Sequence, residues 1–205
     1  MKVSIIVEGK TEKAFMPHLR EYLTSRISGD MLPRLDTLPY DGRIPKENKL
    51  KRVVAHLLTG RDAADHVLAL TDVYTGTNPP DFQDAAEAKG KMRLWVGNEP
   101  RFHPHAAQYD FEAWLLPYWP TIQRLAGHNK KAPAGDPEKV NHLNPPAHRI
   151  GEIFEIGRCR DSYVKPRDAG RILRENDLSV AINQCMELKE FVNTILSVCG
   201  GAIIA

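Results

Sequence analysis

Apolar residues fill positions 3, 5, 6 and 7 with only Ser4 between them, which predicts a strand buried on both faces, as in a parallel sheet. Glu8 and Gly9 end that run. Thr11 then stands where it caps a helix, with Glu12 favourable to the N-terminal dipole. The spacing of Phe15, Leu19, Tyr22 and Leu23 carries this helix to about Ile27, with Pro17 kinking or dividing it. Residues 31–40 alternate apolar and polar, predicting an edge strand weakened by Pro33 and Pro39. Leu50, Val53, Val54, Leu57 and Leu58 repeat at helical spacing until Gly60. Residues 67–71 form a second buried strand with Asp72 at its carboxyl end, and 75–80 a turn-rich loop. Residues 92–96 read as another strand, with a short one around 105–109.

From Phe111 onward the pattern is helical, over residues 111–116, 120–125, 146–154, 165–175 and 177–198. The predicted fold class is therefore α/β: a mainly parallel sheet flanked by helices over about residues 1–112, then a helical extension over about 113–199, in a single domain.

Composition changes this picture little. Hydrophobic residues make up 42% and charged residues 26% of the 205, the balance of a globular protein able to bury a core without disulfides or structural metals. The formal net charge of +2 is too small to indicate nucleic acid by itself. Local basic runs, Lys46-Lys49-Lys51-Arg52 and Arg158-Arg160, read first as solvated faces. Such a chain is expected to bind DNA weakly on its own at physiological salt. Cys159, Cys185 and Cys199 lack the close spacing of a zinc or redox site and fit a reducing compartment. No stretch approaches the ~20 apolar residues of a membrane span, so the expected location is the cytoplasm, with no membrane partner. The tail, residues 200–205, suits a strand, a docking segment or a frayed end.

The chemistry begins with two strands that end in carboxylates. Ligands of open α/β sheets gather beyond the carboxyl ends of the strands, where Glu8 and Asp72 fall. Gly9 leaves room for a ligand beside Glu8. Carboxylates brought together there suit Mg²⁺, a hard ion that takes oxygen ligands, and they repel one another without it. Water-facing or helix-capping acids are the plain alternative. Gly9-Lys10-Thr11 mimics the end of a P-loop, but Ser4 stands where that motif needs glycine. His103 and His105, read as loop residues near Asp110, make a weak case for zinc. Trp114, Leu115, Leu116 and Trp95 read as core.

Several segments carry a resemblance. Ile5-Ile6-Val7-Glu8-Gly9-Lys10-Thr11-Glu12 looks like the opening TOPRIM motif, an apolar strand and then EGxTE, and Asp72 looks like the start of the second motif. Asp72-Val73-Tyr74-Thr75-Gly76, the later Asp81-Phe82 and the segment from Gln108 to Leu116 resemble domain-of-unknown-function family 4276. So do Pro137-Glu138-Lys139-Val140-Asn141, Pro146-Ala147-His148-Arg149-Ile150 and Tyr163-Val164-Lys165-Pro166.

The resemblance implies a TOPRIM-like fold and Mg²⁺- or Mn²⁺-dependent cleavage of nucleic acid, DNA foremost. The family is similar to the nuclease halves of overcoming-lysogenization-defect proteins, which implies a place in bacterial defence beside an ABC- or AAA-type ATPase. It implies metal ligation by Glu8, Asp72 and Glu112, with Asp110 as a further acid. Lys165 would stabilise charge at phosphorus, Gly9, Lys10 and Thr11 would contact phosphate, and Glu12 and Tyr74 would support the site. Two departures stand out. Tyr74 replaces the second Asp of the usual DxD, and Tyr109-Asp110 replaces the family's His-Glu. Tyr74 keeps a second reading open, a catalytically silent subunit that senses nucleic acid or regulates its partner.

Overall fold

The computed structural model describes residues 1–40, 42–74, 80–140, 144–157 and 162–205. Four strands, β1 (Lys2–Val7), β2 (Arg34–Pro39), β3 (His66–Asp72) and β4 (Phe102–Ala107), form one wholly parallel sheet in the order β2-β1-β3-β4. Strand alternation sorts the side chains of the two central strands onto two faces. Val3, Ile5, Val7, Leu68 and Leu70 join the larger core, while Ile6, Val67 and Ala69 join a second one. That is why these strands read as unbroken apolar runs.

Helix α1 (Lys10–Thr24) covers the first face with Phe15, Leu19 and Leu23; α2 (Glu47–Thr59) and α3 (Ala85–Val96) cover the second with Leu50, Val54, Leu58, Met92 and Val96. The helical half consists of α4 (Trp119–Ala126), α5 (Pro146–Gly157), α6 (Lys165–Arg174), α7 (Leu178–Gln184) and α8 (Met186–Val198). It packs on the α1 face, and one continuous core runs from Val3 to Cys199. No helix of the described residues is long and apolar enough to cross a membrane.

Six sequence expectations need correction. Residues 92–96 are the end of α3, not a strand: Asp84 caps that helix by accepting from Glu87 N at 2.7 Å, and the buried Ala85, Ala88, Met92 and Val96 fall at helical spacing. A five-residue apolar stretch cannot separate the two periods, and Leu94 in its middle is 82% exposed. Trp95 is accordingly a half-buried helix residue against Phe82.

Thr11 lies inside the first turn of α1, whose N-cap is Gly9, and the helix ends at Thr24. Pro17 leaves α1 undivided because it sits on the exposed side, where the carbonyl it strands can meet water. Residues 111–116 belong to a 3₁₀ turn, Phe111–Tyr118. Finally, residues 177–198 break at the extended Cys185 into α7 and α8. Both oxygens of the distant Glu138 carboxylate accept from Glu187 N at 3.1 Å, so a tertiary contact starts α8. Glu138 also accepts from Trp114 Nε1 at 3.0 Å.

The tail docks on α8, with Ile204 N donating to Asn193 Oδ1 at 2.7 Å. Cys185 and Cys199 are buried free thiols; Cys159 and the Arg158-Arg160 run lie outside the described residues.

Phe191 of α8 is fully buried between Trp114 and the His105 ring of β4. Phe191→Ala is expected to cost about 3–5 kcal/mol. Because the core is shared, loss of sheet and helix signals should remain a single transition in urea. Separate transitions for the two halves would contradict a common core.

Candidate active site

The parallel register sets Val7 opposite Leu70, and the next residue along, Glu8, meets the end of β3. The Thr71 hydroxyl donates to Glu8 Oε1, and the Asp72 backbone N–H donates to the same oxygen at 3.1 Å. The two strand-end acids therefore share one end of two neighbouring strands. Just beyond, α1 begins. Glu12 in its first turn reaches back to accept from Gly9 N at 3.0 Å, which holds a second buried carboxylate beside the first. From the end of β4 the chain passes through Tyr109, at φ +69°, into the turn that carries Asp110 and Glu112.

These acids lie close enough to raise one another's pKa values. Burial, chiefly, raises Glu8 to about 7; its hydrogen bonds from Thr71 and Asp72 oppose the rise, and Glu12 adds to it. Burial also lifts Asp72 well above the usual carboxylate range, reinforced in order by Glu8, Glu12, Asp110 and Glu112. Asp110 is raised to about 7 by burial and then by Glu112, against the opposing Lys165 charge. Glu12 is raised by burial and by Glu112. Four buried acids and the half-buried Asp72 thus occupy one region of mutual repulsion.

Lys165 crosses to this region from the helical half. Standing first in α6, its ammonium lies 3.0 Å from Glu112 Oε2. The other oxygen of Glu112 accepts from Tyr163 OH at 3.2 Å. The charges of Glu112, Asp110 and Asp72 all favour the Lys165 cation and together outweigh its partial burial, so its pKa is raised. Asp110 Oδ2 accepts from Ala147 N at 3.1 Å, while its buried Oδ1 has no hydrogen-bond partner among the described residues.

The remaining candidates surround this group. Gly9 is extended at φ −167°, and an added Cβ would only touch Glu12 Oε2 at 3.8 Å, so nothing among the described residues demands glycine there. Lys10 is exposed and Thr11 buried at the start of α1. Tyr74 stacks on Tyr109 with ring centroids 5.4 Å apart. Thr75 and Gly76 lie outside the described residues.

Two residues beside these acids carry little mark in the sequence. Thr71 reads there only as strand. Tyr163 lay in the Tyr-x-Lys-Pro segment, where an extended stretch sets it and Lys165 on one side; that spacing was the available signal.

The histidines are strand residues rather than loop residues. His103 of β4 lies 3.1 Å from the ring nitrogen of His66, and His105 packs edge-on against Phe191. Burial holds His105 down to about 3, so it stays neutral in the core. Among the described residues no three His, Cys, Asp or Glu side chains stand ready to hold a metal ion. The donor chemistry nevertheless fits a hard cation: every acid offers oxygen, the acids repel one another, and one buried Asp110 oxygen has no hydrogen-bond partner among the described residues.

The sheet order, the flanking helices and the strand-end acids define a TOPRIM-like α/β domain with a helical C-terminal half. The chain belongs to the family described as "Domain of unknown function (DUF4276)", which matches residues 7–196. Its fold is similar to the C-terminal region of the Burkholderia pseudomallei OLD protein, at TM-score 0.54 and 14% identity over 96% of this chain and 98% of that one. The C-terminal region of the Xanthomonas campestris pv. campestris OLD protein is more distant, at TM-score 0.44 and 13% identity over 96% of each chain. Comparison with curated proteins finds no sequence match.

An acid whose pKa is raised on folding binds more protons folded than unfolded. Its stabilising effect is full below the unfolded value and lost as pH climbs through the folded one. For Glu8 that window runs from 4.5 to about 7. Metal-free protein should therefore melt lower at pH 8 than at pH 5, and Glu8→Gln should shrink the difference. Thermal melts in chelator at both values measure this. An unchanged difference in the variant would place Glu8 in water rather than in a buried acidic cluster.

Proposed function

We propose that this protein cleaves phosphodiester bonds of nucleic acid with Mg²⁺ or Mn²⁺ at the acidic site. The observation that carries this reading is the gathering of Glu8, Glu12, Asp72, Asp110 and Glu112 around the carboxyl ends of parallel strands, with Lys165 reaching in. Glu8 and Asp72, with Glu112 and Asp110 beside them, would hold the ion, whose chemistry is to polarise a phosphate oxygen and activate water. Thr71 and the Asp72 N–H orient Glu8 for that task. Glu112 and Tyr163 aim the Lys165 ammonium, a positive charge suited to the negative charge that builds on the phosphoryl oxygens. Gly9, Lys10 and Thr11 open α1, where backbone N–H groups favour a phosphate and the missing Gly9 side chain leaves space for it. Glu12 tethers the Gly9 amide, and Tyr74 braces the Asp72 segment through its stack on Tyr109.

The family resemblance supports DNA as substrate, an ABC- or AAA-type ATPase encoded nearby as partner, and a role in bacterial defence in the cytoplasm. One observation favours a second reading, a catalytically silent nucleic-acid-sensing subunit. Tyr74 supplies a phenol where a second strand-end carboxylate would add a ligand.

Nicking of supercoiled plasmid by purified protein with Mg²⁺ or Mn²⁺ separates the two. Glu8→Gln should abolish nicking while melting close to wild type at pH 5, since an amide replaces a carboxyl of like shape. Lys165→Ala should lower kcat by roughly 10²-fold. Wild-type nicking by Glu8→Gln would remove the proposed site, and inactivity of the wild type with both ions, with and without the ATPase, would favour the silent subunit.

A further inference from the structure

Next to the acids lies a basic hollow that the proposed chemistry does not use. Past the end of β2 the chain is still bonded to the end of β1: Tyr40 N donates to Val7 O at 2.9 Å and Gly42 N to Glu8 O at 3.1 Å. Arg43 follows at once, close enough for its charge to favour the ionised Glu8. Helix α2 then starts from its N-cap, Lys46, and carries Lys49 and Arg52 three residues, about 4.5 Å along the axis, apart. With Arg43 they line an open hollow of about 670 Å³.

The platform beneath is firm, since Ile44, Leu50 and Val54 are buried in the second core. Arg43, Lys49 and Arg52 are exposed, and Lys46 is paired with Asp81 at 2.6 Å. Among the described residues the lining holds four cations and one carboxylate, Glu47, with Asp81 paired to Lys46 beside it.

A chain with net charge +2 has little general attraction for a polyanion. Its acidic site repels one outright. A phosphate backbone reaches such a site only if a local surface neutralises it nearby, releasing its counterions. The loop bonded to Glu8 leads straight to such a surface.

We propose that the hollow lined by Arg43, Lys46, Lys49 and Arg52 is the track that holds the sugar–phosphate backbone of a nucleic acid beside Glu8. This rests on the phosphodiesterase reading for the direction of the track, though not for its affinity. The ligand chemistry is the phosphodiester chain, and the test distinguishes a deoxyribose backbone from a ribose one.

The full chain and the double variant Lys49→Gln, Arg52→Gln are compared by fluorescence anisotropy with a labelled oligodeoxynucleotide, an oligoribonucleotide and polyglutamate of equal charge, across a salt series. Cleavage of bis-para-nitrophenyl phosphate with Mn²⁺, a substrate too small to need a track, is followed in parallel. Loss of two phosphate contacts should flatten the slope of log affinity against log salt by roughly 1.5. Affinity for the preferred nucleic acid should fall roughly tenfold or more at low salt, with cleavage of the small ester unchanged. The tighter-binding oligonucleotide names the sugar. A wild-type slope in the variant overturns the track, as does polyglutamate binding as tightly as either oligonucleotide. If neither protein cleaves the small ester yet the slope flattens, the phosphodiesterase reading fails and the track stands as a nucleic-acid-binding surface.

Discussion

The parallel pairing of β1 with β3 is the constraint on which the rest depends. Its register is selected by apolar side chains that must face two cores, and a slip of one residue would turn each set to the wrong face. Once that register is fixed, Glu8 and Asp72 have no freedom to separate. The energy of two cores is thereby applied to holding like charges together, an arrangement that surface acids would never adopt. The Thr71 hydroxyl and the Asp72 amide relieve Glu8, and the Lys165 ammonium relieves Glu112.

The helical half is part of the site as well as of the core. Asp110 and Glu112 enter on a turn after β4, but their neighbours Ala147, Tyr163 and Lys165 come from segments that pack around it. Phe111, Trp114 and Phe15 make a ring cluster under that turn, which fixes the height at which Glu112 leaves the core. The site is consequently a joint between two sequence regions, and its geometry depends on their packing.

Much of this was legible in the sequence because it is written in local periodicity. The central strands, α1, α2 and the strand-end positions of Glu8 and Asp72 all follow from apolar runs and the residues that stop them. What was not legible depends on distant contacts. Residues 92–96 look the same as strand or helix end until the Asp84 cap and the two cores are known. The break at Cys185 is stabilised by Glu138, which lies far off in sequence. Thr71 carries no mark in a strand of apolar neighbours, and its partnership with Glu8 exists only through the register. Tyr163 was visible as part of a motif, but its hydrogen bond to Glu112 was not.

The two outer strands are blunted in different ways. Edge strand β2 ends on Pro39 and carries Arg34 and Asp36, which bond to each other, with Lys2 bridging Asp36 and Asp62 beside them. Edge strand β4 has Pro104 at its middle and lies against α3 and α8. Proline lacks the donor that an incoming strand must find, and fixed charges resist the close approach it requires. Growth of the sheet by adding a strand from another chain is thus disfavoured at both margins. A companion chain is thereby turned away from the margins of the sheet and toward its helices and loops.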